Sequence, residues 1–70
     1  MTLPVTVKGR LGDRLEVNEQ EKGELNEDGI LVDVDEGKNT FSAYEDGTLI
    51  KEITKDIFDV GNEIVIDLRP

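Results

Sequence analysis

The sequence predicts a mainly β domain: a small antiparallel sheet or barrel of about five to six strands, with at most one short helix near residues 48–60. Two observations carry this prediction. Short segments alternate apolar and polar residues with a period of two. Glycines 29, 37 and 47 recur at a spacing typical of strand–turn–strand meanders. The alternative is an α+β fold with that helix packed on the sheet. A chain of 70 residues forms a single domain, 1–70.

The first two predicted strands cover residues 3–10 and 14–18, and we expect them to form a hairpin. Val5 and Val7 share one face of the first strand, and Leu15 and Val17 share one face of the second. Gly12–Asp13 supplies the turn chemistry between them.

Residues 19–28 predict an exposed loop, because Leu25 is their one apolar residue. The clearest strand follows Asp28–Gly29. Its apolar face carries Ile30, Val32 and Val34, and its opposite face carries Leu31, Asp33 and Asp35. Glu36–Gly37 and Asn39 predict the next turn.

A second strand pair is centred on Asp46–Gly47, the strongest short hairpin signal in the chain. It follows a strand over Thr40–Glu45 and places Tyr44 opposite Leu49. A final strand alternates Ile64, Ile66 and Leu68 with polar residues. The predicted core face consists of Ile30, Val32, Val34, Ile64 and Ile66.

The segment from 48 to 60 fits two structures. As a helix, it gathers Leu49, Ile50, Ile53, Ile57 and Val60 in one stripe, with Thr48 and Gly61 as caps. As a strand followed by a short helical turn, it fits the β-branched composition. It also fits an internal echo, since Glu45–Ile50 resembles Glu27–Val32, where a strand is predicted.

Composition excludes several classes of function. The chain has no cysteine and no histidine, so it lacks disulfides, the usual zinc ligands and the usual general base. Its net charge of −9 disfavours direct binding to nucleic acid or to an anionic membrane. We therefore expect no enzyme, no cofactor and no metal. We expect a cytoplasmic location, which would be the host cytoplasm for a phage-encoded protein.

The negative charge is concentrated in one segment, residues 16–36, with nine acids and a single cation, Lys22. Charge that serves solubility alone is usually interspersed with the opposite sign, although a solvated face is the simpler interpretation. The alternative is a negative surface shaped for a basic partner. The candidate partner-binding residues are Glu16, Glu19, Glu21, Glu24, Glu27, Asp28, Asp33, Asp35 and Glu36.

In size, acidity and lack of catalytic groups, the chain resembles small phage-encoded DNA-mimic inhibitors. The resemblance covers these global properties and no motif. It implies a module that occupies the basic DNA-binding surface of a bacterial protein, such as a histone-like nucleoid protein, RNA polymerase or a nuclease. A homodimer would double the length of the acidic surface. The alternatives are an assembly subunit that pairs through a sheet edge, and an antitoxin or other regulatory partner.

The segment Asp33–Asn39 resembles the start of a calcium-binding EF-hand loop, because Asp33 and Asp35 lie two positions apart and a glycine follows. Gly37 comes one position early, and Tyr44 stands where the bidentate glutamate belongs. We therefore interpret the segment as a turn between strands.

Overall fold

The computed structural model describes residues 2–70, and these form seven β-strands and no helix. The strands are β1 (Thr2–Lys8), β2 (Arg14–Val17), β3 (Gln20–Glu24), β4 (Ile30–Asp35), β5 (Gly37–Glu45), β6 (Thr48–Ile57) and β7 (Val65–Asp67). The predicted mainly β class is confirmed. The strand number exceeds the prediction because residues 20–24 also form a strand.

The strands form two sheets around one core. The three-stranded sheet has the order β4-β1-β7, and the four-stranded sheet has the order β3-β2-β5-β6. Within the first, β1 is antiparallel to β4 and parallel to β7. Both sheets contribute to the core, whose largest fully buried side chains include Phe41, Leu15 and Ile57 from the four-stranded sheet and Val5 and Val7 from the other.

The core face predicted from the sequence is confirmed. Val32, Val34 and Ile66 are buried, and Ile30 and Ile64 pack against the core as partly buried side chains. Leu31, which alternates with them, is 71% exposed. The period-two pattern therefore assigned the correct face of β4.

The predicted hairpin between residues 3–10 and 14–18 is wrong. β1 pairs with β4 and β7, whereas β2 pairs with β3 and β5 in the other sheet. The intervening loop crosses between sheets, and its Asp13 is buried, with its carbonyl accepting the Leu25 amide at 2.6 Å. Alternation identifies the buried face of a strand, but it carries no information about the strand's partner.

The loop predicted over residues 19–28 is also wrong in its first half, where β3 forms a hairpin with β2. The turn residues Asn18 and Glu19 both have positive φ, 51° and 71°, as in a type I′ turn. Leu25, just after β3, is fully buried against the core. A single apolar residue in a polar segment is therefore a core anchor here.

The segment 48–60 contains a ten-residue strand, β6, that ends at Ile57, and neither the predicted helix nor a helical turn is present. The hairpin at Asp46–Gly47 is confirmed, with φ of 50° and 80° at these two residues. Tyr44 lies opposite Leu49, as predicted. The internal echo was informative, since both copies of the repeated pattern lead into a strand.

Asn39 was predicted in a turn, but it lies inside β5 and is buried. Its side-chain amide donates to the carbonyls of Asp35 and Gly37 at 2.8 and 3.0 Å, and its oxygen accepts from the Asn18 side chain at 2.9 Å. These bonds satisfy the carbonyls at the corner where the chain passes from β4 to β5. Asn39 thus joins this corner to the β2–β3 turn.

The sandwich has two open sides, where strand edges approach without pairing. On one side, β3 and β4 line a shallow cleft that includes Gln20, Lys22, Asp33 and Asp35. On the other side, the end of β6 and the start of β7 line a second cleft. We call these the β3–β4 side and the β6–β7 side, and the second is the more apolar of the two.

Candidate protein-binding surface

Three acids of the 16–36 segment lie on the outer face of the four-stranded sheet. Glu16 and Glu21 are directly opposite each other on β2 and β3, and Glu24 is opposite Arg14. Directly opposite residues of an antiparallel pair have Cβ atoms about 5 Å apart on the same face. The Glu16–Glu21 pair therefore places two negative charges side by side.

The other six acids continue around the β3–β4 side. Glu19 lies in the β2–β3 turn, and Glu27 and Asp28 lie in the loop that connects β3 to β4. Asp33 and Asp35 are exposed on the outer face of β4, and Glu36 lies at the corner before β5. The fold thus distributes the predicted set along one side of the molecule, with Glu16 one strand further in. We call these nine residues the acidic surface.

Among the described residues 2–70, most of the acidic surface forms no ion pair. Glu21 forms an ion pair with Arg14 at 3.2 Å. Within residues 2–70, the other eight acids have no cation within 4.0 Å. All nine are exposed except Glu16, which is half-buried. Within the described residues, ion pairs therefore neutralise only one of the nine carboxylates.

The cations are divided between the acidic surface and the rest of the molecule. Arg10 pairs with Asp13 and Glu45, at 3.3 and 2.6 Å. Lys51 and Lys55 lie on β6, the edge strand of the β6–β7 side. Arg14 and Lys22, by contrast, lie within the acidic surface, since Arg14 pairs with Glu21 and Lys22 occupies the irregular position in the β2–β3 pairing. The acidic surface therefore contains cations of its own.

One further acid on the same sheet face was not among the predicted residues. Ser42 lies between Glu16 on β2 and Glu52 on β6, directly opposite both, and its hydroxyl donates to the Glu52 carboxylate at 3.2 Å. A row of Glu21, Glu16, Ser42 and Glu52 therefore crosses the sheet. The strand interpretation of residues 48–57 would have located Glu52, since it places this residue on the outer face.

The ion pair between Arg69 and Asp67, outside the acidic surface, shifts the pKa of Asp67. Hydrogen bonds from the Arg69 side chain, and then from its backbone N–H, lower the pKa of Asp67 to about 2. A lowered pKa adds stability above the ordinary value near 3.8, and this contribution is lost as the pH falls through about 2. Because both groups are fully exposed, solvent screening keeps this contribution small.

The EF-hand-like segment is a corner between strands. The Asn39 side-chain amide donates hydrogen bonds to the carbonyls of Asp35 and Gly37. In the described part of the chain, no three His, Cys, Asp or Glu side chains are grouped to hold a metal ion.

Calcium should therefore leave the stability unchanged. We expect the same melting temperature, within error, in millimolar calcium and in excess chelator, because a ligand that binds only the folded state would raise it. Thermal unfolding followed by circular dichroism measures this directly. A rise that saturates with calcium, and that Asp33→Asn abolishes, would instead establish a site.

Comparison with known proteins gives no match to a family model, a curated protein or a solved structure. Across residues 2–70 there is also no helix that is long and apolar enough to span a membrane. The fold and surface define the chain as a small acidic β-sandwich. The acidic surface is therefore the feature from which its function can be inferred.

Proposed function

We propose that this chain is an acidic protein-binding module that acts as a DNA mimic and occupies the basic DNA-binding surface of another protein. The observation that supports this proposal is the acidic surface, with eight of its nine carboxylates free of intramolecular ion pairs within residues 2–70. A basic protein surface would supply the missing counter-charges. Such a partner would bind through groups that otherwise contact phosphates.

The acidic surface reproduces part of the charge density of DNA. Duplex DNA carries one negative charge per ~1.7 Å of its axis, so a length equal to the 34 Å long axis of this protein carries roughly 20. The chain has 17 acids, which eight bases offset to a net charge of −9, and nine of the acids belong to the acidic surface. A single copy therefore reproduces part of the charge, and a symmetric dimer would extend it over a longer stretch.

The β scaffold suits this function because it fixes the charges in space. Alternate residues of a strand are about 7 Å apart on one face, which sets the spacing of Asp33 and Asp35. The cross-strand pair Glu16–Glu21 extends the array of charges across the strands as well as along them. A rigid array of charges loses less conformational entropy on binding than a disordered acidic tail does.

The partner class follows from this chemistry. Candidate targets are a histone-like nucleoid protein, RNA polymerase or a nuclease, each of which presents a basic surface to DNA. We place the complex in the bacterial cytoplasm, which would be the host cytoplasm for a phage-encoded protein. The module itself needs no cofactor, no catalytic residue and no direct contact with nucleic acid or membrane.

The alternative, an assembly subunit that pairs through a sheet edge, is less well supported. Lys51 and Lys55 lie opposite the buried residues Ala43 and Asn39, so they point to the inner face of β6. Inward-pointing charges on an edge strand oppose edge-to-edge pairing. Antiparallel pairing of two copies about Ile53 would also set Lys51 against Lys55. Pairing about Thr54 would set Glu52 against Asp56.

Neutralising the acidic surface should weaken binding to the partner without unfolding the protein. The test is a pull-down from bacterial lysate, eluted along a salt gradient, with the parent and with a variant carrying Glu16, Glu19, Glu21, Glu24 and Glu27 changed to glutamine. We expect the variant to release the partner at markedly lower salt, because it has fewer charges to attract the partner. Salt screens such charges over a Debye length of ~8 Å at physiological ionic strength. Its melting temperature should change little, since the single exposed ion pair it loses contributes ~0–1 kcal/mol.

A matched control removes five charges elsewhere. It carries Glu45→Gln, Asp56→Asn, Asp59→Asn, Glu63→Gln and Asp67→Asn, so both variants have the same net charge. This control should retain the partner more strongly than the first variant does. Equal elution of the partner from the parent and from the 16–27 variant would refute the proposal. Equal weakening by both variants would show that only the overall charge matters.

A further inference from the structure

The β6–β7 side carries an apolar groove that is distinct from the acidic surface. The groove has a volume of about 430 Å³ and is lined by Ile57, Phe58, Val60, Ile64 and Val65, with charged side chains at its rim. Phe58 is 57% exposed and Val60 is 50% exposed. Exposed apolar groups gathered in a groove are typical of an interaction site.

The groove lies at the end of β6 and beside β7, where the inward-pointing lysines of β6 no longer oppose pairing with another strand. Lys51 and Lys55 place inward-pointing charges on β6, but the strand ends in the buried Ile57, and the apolar Phe58 follows it. β7 is also an edge strand. Its bonds to β1 flank Val65, with Thr6 donating to Ile64 at 2.8 Å and Leu68 donating to Lys8 at 2.7 Å. Since backbone groups alternate in direction along a strand, those of Val65 point away from β1 into the groove.

The charges at the rim select the kind of occupant. Asp56 and Glu63 line the groove and Asp59 lies in the connecting segment, whereas Lys55 is the cation there. A second copy of the chain would bring the same acids against these, so like charges would oppose self-association through this surface. A positively charged segment would meet opposite charges instead.

We propose that the groove binds an extended peptide segment of a partner protein, with apolar side chains at alternate positions and lysine or arginine at its flanks. The segment adds to the free edge of β7 by backbone hydrogen bonds, and its apolar side chains occupy the groove beside Phe58 and Val60. Because this surface lies opposite the acidic surface, the proposal is independent of DNA mimicry. One module could then hold two partners at once.

The test is a selection from a display library of random peptides of roughly 12 residues against the immobilised protein. Binding of the enriched peptides is then measured on two purified variants. The groove variant carries Phe58→Ser and Val65→Thr, and threonine keeps the shape and β propensity of valine. The matched control carries Leu11→Ser and Leu31→Thr, which alter leucines that are 76% and 71% exposed and lie outside the groove. Circular dichroism checks that both variants fold.

We expect the enriched peptides to be basic with alternating apolar residues. Their Kd should rise at least about tenfold on the groove variant and stay unchanged on the control. Amide NMR shifts on titration should map to residues 55–66. Peptides that bind the groove variant as tightly as the parent, or a selection that enriches none, would overturn the proposal. NMR shifts of the groove residues that depend on protein concentration alone would overturn it too, by assigning the groove to a second copy.

Discussion

The substitution Val34→Asp should abolish the cooperative unfolding transition. Val34 is 4% exposed, and its side chain belongs to the shared core of the two sheets. An unpaired carboxylate in that core costs several kcal/mol. A domain of this length is stabilised by only about 4–10 kcal/mol, so the loss consumes much or all of its stability. Urea unfolding followed by circular dichroism should show no sigmoidal transition.

The matched control is Leu31→Asp, three positions earlier on the same strand. Leu31 is 71% exposed on the outer face of β4, so an aspartate there stays hydrated. We expect its free energy of unfolding in urea to change by no more than about 0.5 kcal/mol, as is typical of surface substitutions. A cooperative transition in the Val34 variant, or a collapse of the Leu31 variant, would show that the register of β4 is wrong.

Leu25→Ala should also destabilise the fold strongly, although less than Val34→Asp does. The leucine is fully buried although it lies in an otherwise polar segment. Replacing a buried leucine by alanine typically costs about 2–5 kcal/mol, through lost burial and the cavity left behind. The measurement is the free energy of unfolding in urea. A loss below about 1 kcal/mol would mean that the segment after β3 is mobile and does not anchor the core.

Gly9 provides a second arm of the same experiment. A Cβ atom on Gly9 would come within 2.6 Å of Leu25 Cδ1 and 3.1 Å of Leu25 Cβ. Gly9→Ala alone should therefore destabilise by about 1–3 kcal/mol, as overpacking does. In the Leu25→Ala background most of that cost should disappear. Additive losses would contradict the contact between these two residues.

The sequence was most informative where side-chain alternation and turn chemistry agree. The buried face of β4 and the Asp46–Gly47 hairpin were predicted correctly for this reason. The pairing of β1 could not be predicted, because both of its partners are distant in sequence and only tertiary packing selects them. The Asn18–Glu19 turn was missed because glutamate rarely takes a positive φ, so the pair lacks the usual asparagine–glycine signature.

The candidate surface, like the fold, could be predicted only in part from the sequence. The charge segregation of residues 16–36 is a property of the linear sequence, and the fold keeps these acids exposed along one side. What the sequence could not supply was the neighbourhood of each acid. Glu52 is distant in the chain, yet β5 brings it into one row with Glu16. The Arg14–Glu21 ion pair likewise depends on the unpredicted pairing of β2 with β3.

The most direct test of DNA mimicry is competition for the partner isolated in the pull-down. A fluorescently labelled DNA duplex is bound to that partner, and its anisotropy is followed as the acidic protein is added. We predict that the parent protein displaces the duplex completely, and that the variant with five glutamines between positions 16 and 27 requires a much higher concentration. The association of the acidic protein with this partner should also slow steeply as salt increases. Undiminished anisotropy while the acidic protein is bound to the same partner would contradict the account.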